Sequence, residues 1–221
     1  MIKKQYSQSW VFQVVILFGG TLVCCLSVNT QAAKTPPLGY ILHIQMTPAV
    51  CALDATQQKQ RKCLEGYSLT IGSLVPENMD SECATTTSPT LPPLQAKVVA
   101  NVIPDEPYRT QLWRTVGGCM QMNASQYFRT IINYAQNLKI PAVLTDSTSH
   151  SISKQSLENQ FLSLNHGLPE RGIHMTCQKE GRSTFLTHIS VCYKTNGQFK
   201  NCPESVLASS CPNNFNVQGT Y

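Results

Sequence analysis

No CxxC or CxxH pair occurs in the 221 residues. That argues against a structural zinc site, which needs closely spaced thiolate or imidazole ligands. No lysine or arginine run is present, so no nucleic-acid patch can be read from charge alone. No internal repeat appears, and the chain reads as one domain rather than an array. Its most enzyme-like stretch is QLWRTVGGC, Gln111 to Cys119, with a tryptophan, a tight glycine pair and a cysteine. Yet that stretch has no carboxylate, no histidine and no lysine. It looks like the frame of a site without the groups that move protons.

The first residues address the compartment. Lys3 and Lys4 form a short positive segment, and an apolar run extends from Trp10 to Leu26. SVNTQAAK follows, with Thr30 and Ala32 at the offsets expected before a cleavage point. Residues 1–32 therefore read as a secretory signal peptide. An uncleaved anchor is the competing reading, since the run is nearly long enough to span a membrane. Cleavage would leave a periplasmic or secreted protein with no membrane segment. Residues 33–221 suffice for a single domain with a real core. Lys3 and Lys4 are two of the 17 basic residues, so 15 then face 12 acidic ones. That mild excess permits an anionic partner without requiring one.

Of the ten cysteines, Cys24 and Cys25 belong to the leader, and eight remain. An even number in an exported chain implies disulfides. Composition alone cannot choose their pairing. No metal and no cofactor are expected.

Periodicity gives a coarse map. GYILHIQMTP alternates as a strand, with Ile41, His43 and Gln45 on one side and Leu42, Ile44 and Met46 on the other. Tyr67–Ile71 reads as a second strand. Cys83–Pro93 reads as a loop, and the segment to Arg109, with Pro104 and Pro107, as irregular. The clearest helix follows Asn123 or Ser125 as N-cap, with Phe128, Ile131, Ile132, Ala135 and Leu138 on one face. Pro141 closes it. A second helix is expected after Ser153, burying Leu157, Phe161 and Leu164. Two strands follow, through Ile173, Met175 and Cys177 and through Phe185, Thr187, Ile189 and Val191. The tail reads as loop held by cysteines. The expected class is α+β, a mostly antiparallel central sheet packed against several helices.

Three segments carry a family resemblance: YILHIQMTPAVC, LTIGSLVPE and QLWRTVGGCMQMNASQYF. In order and spacing they resemble the ribonuclease T2 family, especially its bacterial periplasmic branch. That family carries a motif close to FTIHGLWP and a second close to HEWxKHGxC. The late stretch GIHMTCQKEGRSTFLTHISVCYKTNGQFKNCP and the ending FNVQGTY are similar as well. The resemblance implies four disulfides: Cys51–Cys63, Cys83–Cys119, Cys177–Cys211 and Cys192–Cys202. It also implies RNA transesterification, with two histidines moving protons and a Glu and a Lys assisting. On this chain the first histidine falls on Gly72 and the motif's tryptophan on Val75. The Glu falls on Leu112, the Lys on Thr115 and the second histidine on Val116. Trp113, Gly117 and Cys119 keep their places. By this resemblance the catalytic positions are degenerate, and no catalytic residue is assigned.

Five histidines could rebuild a site: His43, His150, His166, His174 and His188. His43 lies on a strand that in the family passes near the cleft. Trp113 is either a stacking platform for a base or a core residue, and its helix position favours the core. Lys194, Lys200, Arg109 and Arg114 are available to phosphates. Three readings stand. One is an inactive T2-family homologue whose former cleft binds RNA, nucleotides or a protein partner. The second is an active RNA endonuclease with relocated histidines. The third is a disulfide-stapled interaction protein, or a binder of apolar ligands if Val75, Leu112 and Val116 make the old cleft hydrophobic.

Overall fold

The alternation in YILHIQM is realised as β1 (Tyr40–Met46), with Leu42, Ile44 and Met46 buried toward the main core. The structure is a computed structural model that describes residues 36–79, 83–208 and 211–220. The expected signal peptide, residues 1–32, lies outside the described residues. Pro48 ends the strand and sits in the first turn of α1 (Thr47–Leu53), where a missing N–H costs nothing. A short helix α2 (Arg61–Leu64) follows in the QQKQRK segment. The second strand, β2 (Leu69–Pro76), starts later and runs longer than the sequence reading of Tyr67–Ile71. Its register with β1 shifts between His43 and Ile44, so that His43 faces Ser73 while Ile44 faces Ile71. Gly72 is the extra residue of this bulge.

The stretch read as irregular up to Arg109 contains two helices instead. They are α3 (Pro93–Ala100) and the start of α4 (Glu106–Val116). Pro93 and Pro107 occupy first-turn positions, where proline begins a helix rather than breaking it. Next comes α5 (Ala124–Asn137) behind a reciprocal cap. The Asn123 side chain accepts from the Gln126 N–H, and the Gln126 side chain accepts from the Asn123 N–H, both at 2.9 Å. Asn123→Ala is expected to cost about 1 kcal/mol. It should appear as a lower denaturation midpoint with an unchanged denaturant slope.

A short strand β3 (His150–Ser153) leads into α6 (Lys154–Leu164), which Ser153 caps through the Ser156 N–H. Leu157 and Phe161 are buried as expected, but Leu164 is 44% exposed. Leu164 is the last helical residue, and Asn165 turns inward in its place. The Asn165 side chain accepts from the Lys139 N–H and donates to the Lys139 carbonyl, 2.8 Å each. The late strands are β4 (Ile173–Glu180) and β5 (Ser183–Tyr193). Gly181 lies between them at φ +57°, which suits a tight hairpin turn. The tail is more ordered than a loop: it forms α7 (Glu204–Leu207) and β6 (Asn214–Val217). β6 is only four residues long and pairs with β3, so neither strand had enough length for alternation to register.

The sheet runs β2-β1-β5-β6-β3, with β4 on the other edge of β5. All pairs are antiparallel except β5 with β6. One face packs on α4, α5 and α6 through Leu42, Met46, Leu74, Trp113, Tyr127 and Phe161. Tyr127 is fully buried there, and its hydroxyl pairs with both the N–H and the carbonyl of Leu74. Four disulfides join Cys51–Cys63, Cys83–Cys119, Cys177–Cys211 and Cys192–Cys202. Among the described residues no helix is long and apolar enough to cross a membrane.

Candidate functional site

Gly72 is buried at the β2 bulge, and its carbonyl accepts from the Tyr108 hydroxyl at 2.5 Å. That bond ties the first turns of α4 to β2. Leu112 and Val116 follow Tyr108 at helical spacing on the same side of α4. They are 6% and 2% exposed within the main core. They therefore offer no apolar surface to a ligand, while Val75, on the opposite sheet face, is only half-buried. Thr115 is exposed and its hydroxyl donates to the Gln111 carbonyl at 2.9 Å. Trp113 points elsewhere. It is 2% exposed, its ring lies 5.6 Å from that of Tyr127, and its Nε1 donates to the Thr87 hydroxyl and carbonyl. An indole enclosed in this way presents no face on which a base could stack. The glycine pair has a packing cause: a Cβ on Gly118 would lie 2.5 Å from the Ala84 carbonyl oxygen. No side chain at Gly72, Leu112, Thr115 or Val116 titrates near neutral pH, so none can act as a general acid or base there.

The opposite sheet face carries the polar groups. Residues directly opposite in a ladder share a face. His43 faces Ser73 on β2 and Ser190 on β5, and Ser190 faces His174 on β4. One row along, Gln45 faces Thr70 and His188, and His188 faces Thr176. His43 Nδ1 and Ser190 Oγ share a 2.9 Å hydrogen bond. Gln45 Oε1 accepts from Lys62 Nζ at 2.7 Å, and Lys62 lies 5.8 Å from the Tyr108 ring centroid. Gly72 borders this row, since a Cβ there would lie 3.2 Å from Gln45 Cγ. Burial, helped by the charge of His188, holds the His43 imidazole down at about 4. Burial lowers His188 as well, with a smaller push from Lys62. His174 is lowered by burial and then by Lys154. His150 stands apart, beside Asp146 and Thr148, and His166 is exposed on the turn after α6. Lys200 is engaged by Glu77, and Arg109 by the carbonyls of Ile103 and Pro104. Among the described residues no group of three or more His, Cys, Asp or Glu could hold a metal ion.

The model of the ribonuclease T2 family matches residues 38–202. The chain belongs to the ribonuclease T2 family. Solved T2 structures share its fold. A mutant of RNase MC1 in complex with 5'-UMP aligns with a TM-score of 0.63 at 16% identity, over 82% of this chain and 98% of that one. Japanese pear S3-RNase gives 0.61 at 21% identity, over 83% and 99%. Ribonuclease MC1 from the seeds of bitter gourd gives 0.61 at 17%, over 80% and 98%. These identities establish the fold and nothing finer. No curated protein matches the chain in sequence.

Within the T2 fold, sequence reasoning brought Gly72 and α4 to one place, and the Tyr108 bond joins them there. It did not single out Lys62, Gln45 or Tyr108. Gln45 could have been found, because alternation already sets it on the same strand face as His43. Lys62 could not: it sits in the QQKQRK run, where a solvated side chain is the ordinary expectation, yet it is 4% exposed.

Proposed function

We propose that this T2-family protein is exported, belongs to the bacterial periplasmic branch, and has lost the family's route of RNA cleavage. It acts instead as a binding protein for RNA or nucleotides. The observation that carries this reading is that no titrating side chain stands at Gly72, Leu112, Thr115 or Val116, where the resemblance places the family's proton-transfer and charge-stabilising groups. Leu112 and Val116 are also packed inside the core. Each lost acid–base group removes about 10²–10⁴-fold in rate, and such losses do not add. Neither side chain ionises at any pH, so no environment can restore the role. Nucleotide binding is supported by relatives crystallised with 5'-UMP and 5'-GMP. Export is supported by the signal-like residues 1–32 and by four disulfides, which persist in oxidising compartments.

A second reading is favoured by one observation. His43 and His188 lie on one sheet face near Lys62 and beside Gly72, as a relocated acid–base pair would require. The oxidised protein incubated with single-stranded RNA from pH 4 to 9 distinguishes the two. No 2',3'-cyclic phosphate above a boiled control is the expected result. Product that disappears in His43→Gln and His188→Gln would replace the first reading with the second.

A further inference from the structure

Three basic side chains from three elements converge on the sheet face beside Gly72: His43 from β1, His188 from β5 and Lys62 from α2. The register makes the two imidazoles diagonal neighbours on one face. Such positions lie about 7–8 Å apart, within reach of long or aromatic side chains. One phosphate with a hydrogen bond to each ring spans such a gap. Ser190 engages Nδ1 of His43, so Nε2 is the ring nitrogen left to a ligand. Both rings are half-buried, so they are desolvated yet still reachable. Lys62 is fixed between Gln45 and the Tyr108 ring.

The surrounding charges are lopsided. Burial lowers the Lys62 ammonium, and Asp105, just before α4, and Asp54, just after α1, oppose that in part. Asp105 is already held by the backbone N–H groups of Arg61 and Lys62. On the imidazoles the acting charges are positive: His188 on His43, and Lys62 on His188. In the next column the charge of Lys154 acts on His174. A gathering of donors whose mutual effects are repulsive is stabilised by an anion. A tetrahedral oxyanion offers an acceptor to each ring at once.

We propose that His43 and His188 bind the phosphate group of a nucleotide, with Lys62 supplying the site's standing positive charge. The site uses none of the family's motif positions, and it rests on the nucleotide-binding reading above. An anion favours the charged form of both rings, so binding strengthens as pH falls. The readout is NMR of the histidine rings in the whole oxidised protein, titrated with inorganic phosphate or 5'-UMP between pH 4 and 8. Both ligands are expected to raise the titration midpoints of His43 and His188, with exposed His166 as internal control. The phosphate itself takes up a proton below about pH 6, so the gain in affinity for 5'-UMP, about tenfold, is expected between pH 8 and pH 6. Lys62→Met should weaken it by about tenfold. Should that variant not fold, the midpoint shifts in the unmodified protein decide the matter. Binding of 5'-UMP with both midpoints unmoved overturns the site but leaves the binding function standing. No binding of either probe at any pH overturns both. If 5'-UMP acts no better than inorganic phosphate, the nucleotide is overturned as the source of the phosphate.

Discussion

Trp113→Ala is expected to lower stability by about 3–5 kcal/mol, the range for truncating a large buried aromatic. Trp113 is 2% exposed and packs against Tyr127, which itself bonds both backbone groups of Leu74 on β2. Removal would leave a cavity between α4 and α5 and strip the Thr87 hydroxyl and carbonyl of their N–H donor. Partial collapse would limit the loss, but the neighbouring glycine pair leaves little slack: Gly118 already touches backbone of the Cys83–Ala84 segment. Trp10 is the one other tryptophan, and the measurement is urea denaturation followed by circular dichroism. A base-stacking tryptophan would behave oppositely, losing nucleotide affinity with stability nearly intact.

Acid should destabilise the protein before its carboxylates are protonated. His43 titrates at about 4 in the fold, against about 6.5 in an unfolded chain. Between those values the unfolded chain binds a proton that the folded one refuses, so stability rises with pH across that window and falls as pH drops through it. The loss attributable to His43 is roughly 3 kcal/mol between pH 7 and pH 4. His188 and His174 are lowered too, and they add in the same sense. Denaturation midpoints at pH 7 and pH 4.5, for the protein and for His43→Gln, check this. The variant should show a markedly flatter dependence. Phosphate at millimolar concentration should flatten the dependence of the unmodified protein as well, because an anion between the rings offsets the burial and the repulsion that hold the proton off.

Long, strongly patterned elements were legible in the sequence. β1 announces itself by strict alternation, and α5 by its apolar stripe and the Asn123 cap, because each pattern repeats over several turns or pleats. β3 and β6 were not legible. Each has four residues, and the two pair with each other across some 60 residues of chain, β6 also meeting β5. α3 and α4 were hidden behind prolines that turned out to be first-turn residues. At the site, the absence of titrating groups at Gly72, Leu112, Thr115 and Val116 was plain from residue type. The convergence of His43, His188 and Lys62 was not, since it depends on which strand β5 lies beside and on a lysine being drawn inside. Neither follows from local propensity.

The cross-link pattern divides the molecule in a way its sheet does not. Cys51–Cys63 and Cys83–Cys119 lie wholly in the first part of the chain, Cys177–Cys211 and Cys192–Cys202 wholly in the last. Among the described residues no bridge connects the two parts. Yet the central pairing of β1 with β5 does so, and the His43–Ser190 bond spans 147 positions. A single proteolytic nick between Cys119 and Cys177 would therefore yield two separately stapled fragments held only by sheet pairing and the shared core. They would travel as one species in native buffer and part in denaturant without any reductant. The imidazole pair would be divided between them, one ring on each fragment, so ligand binding would report directly on their reassociation.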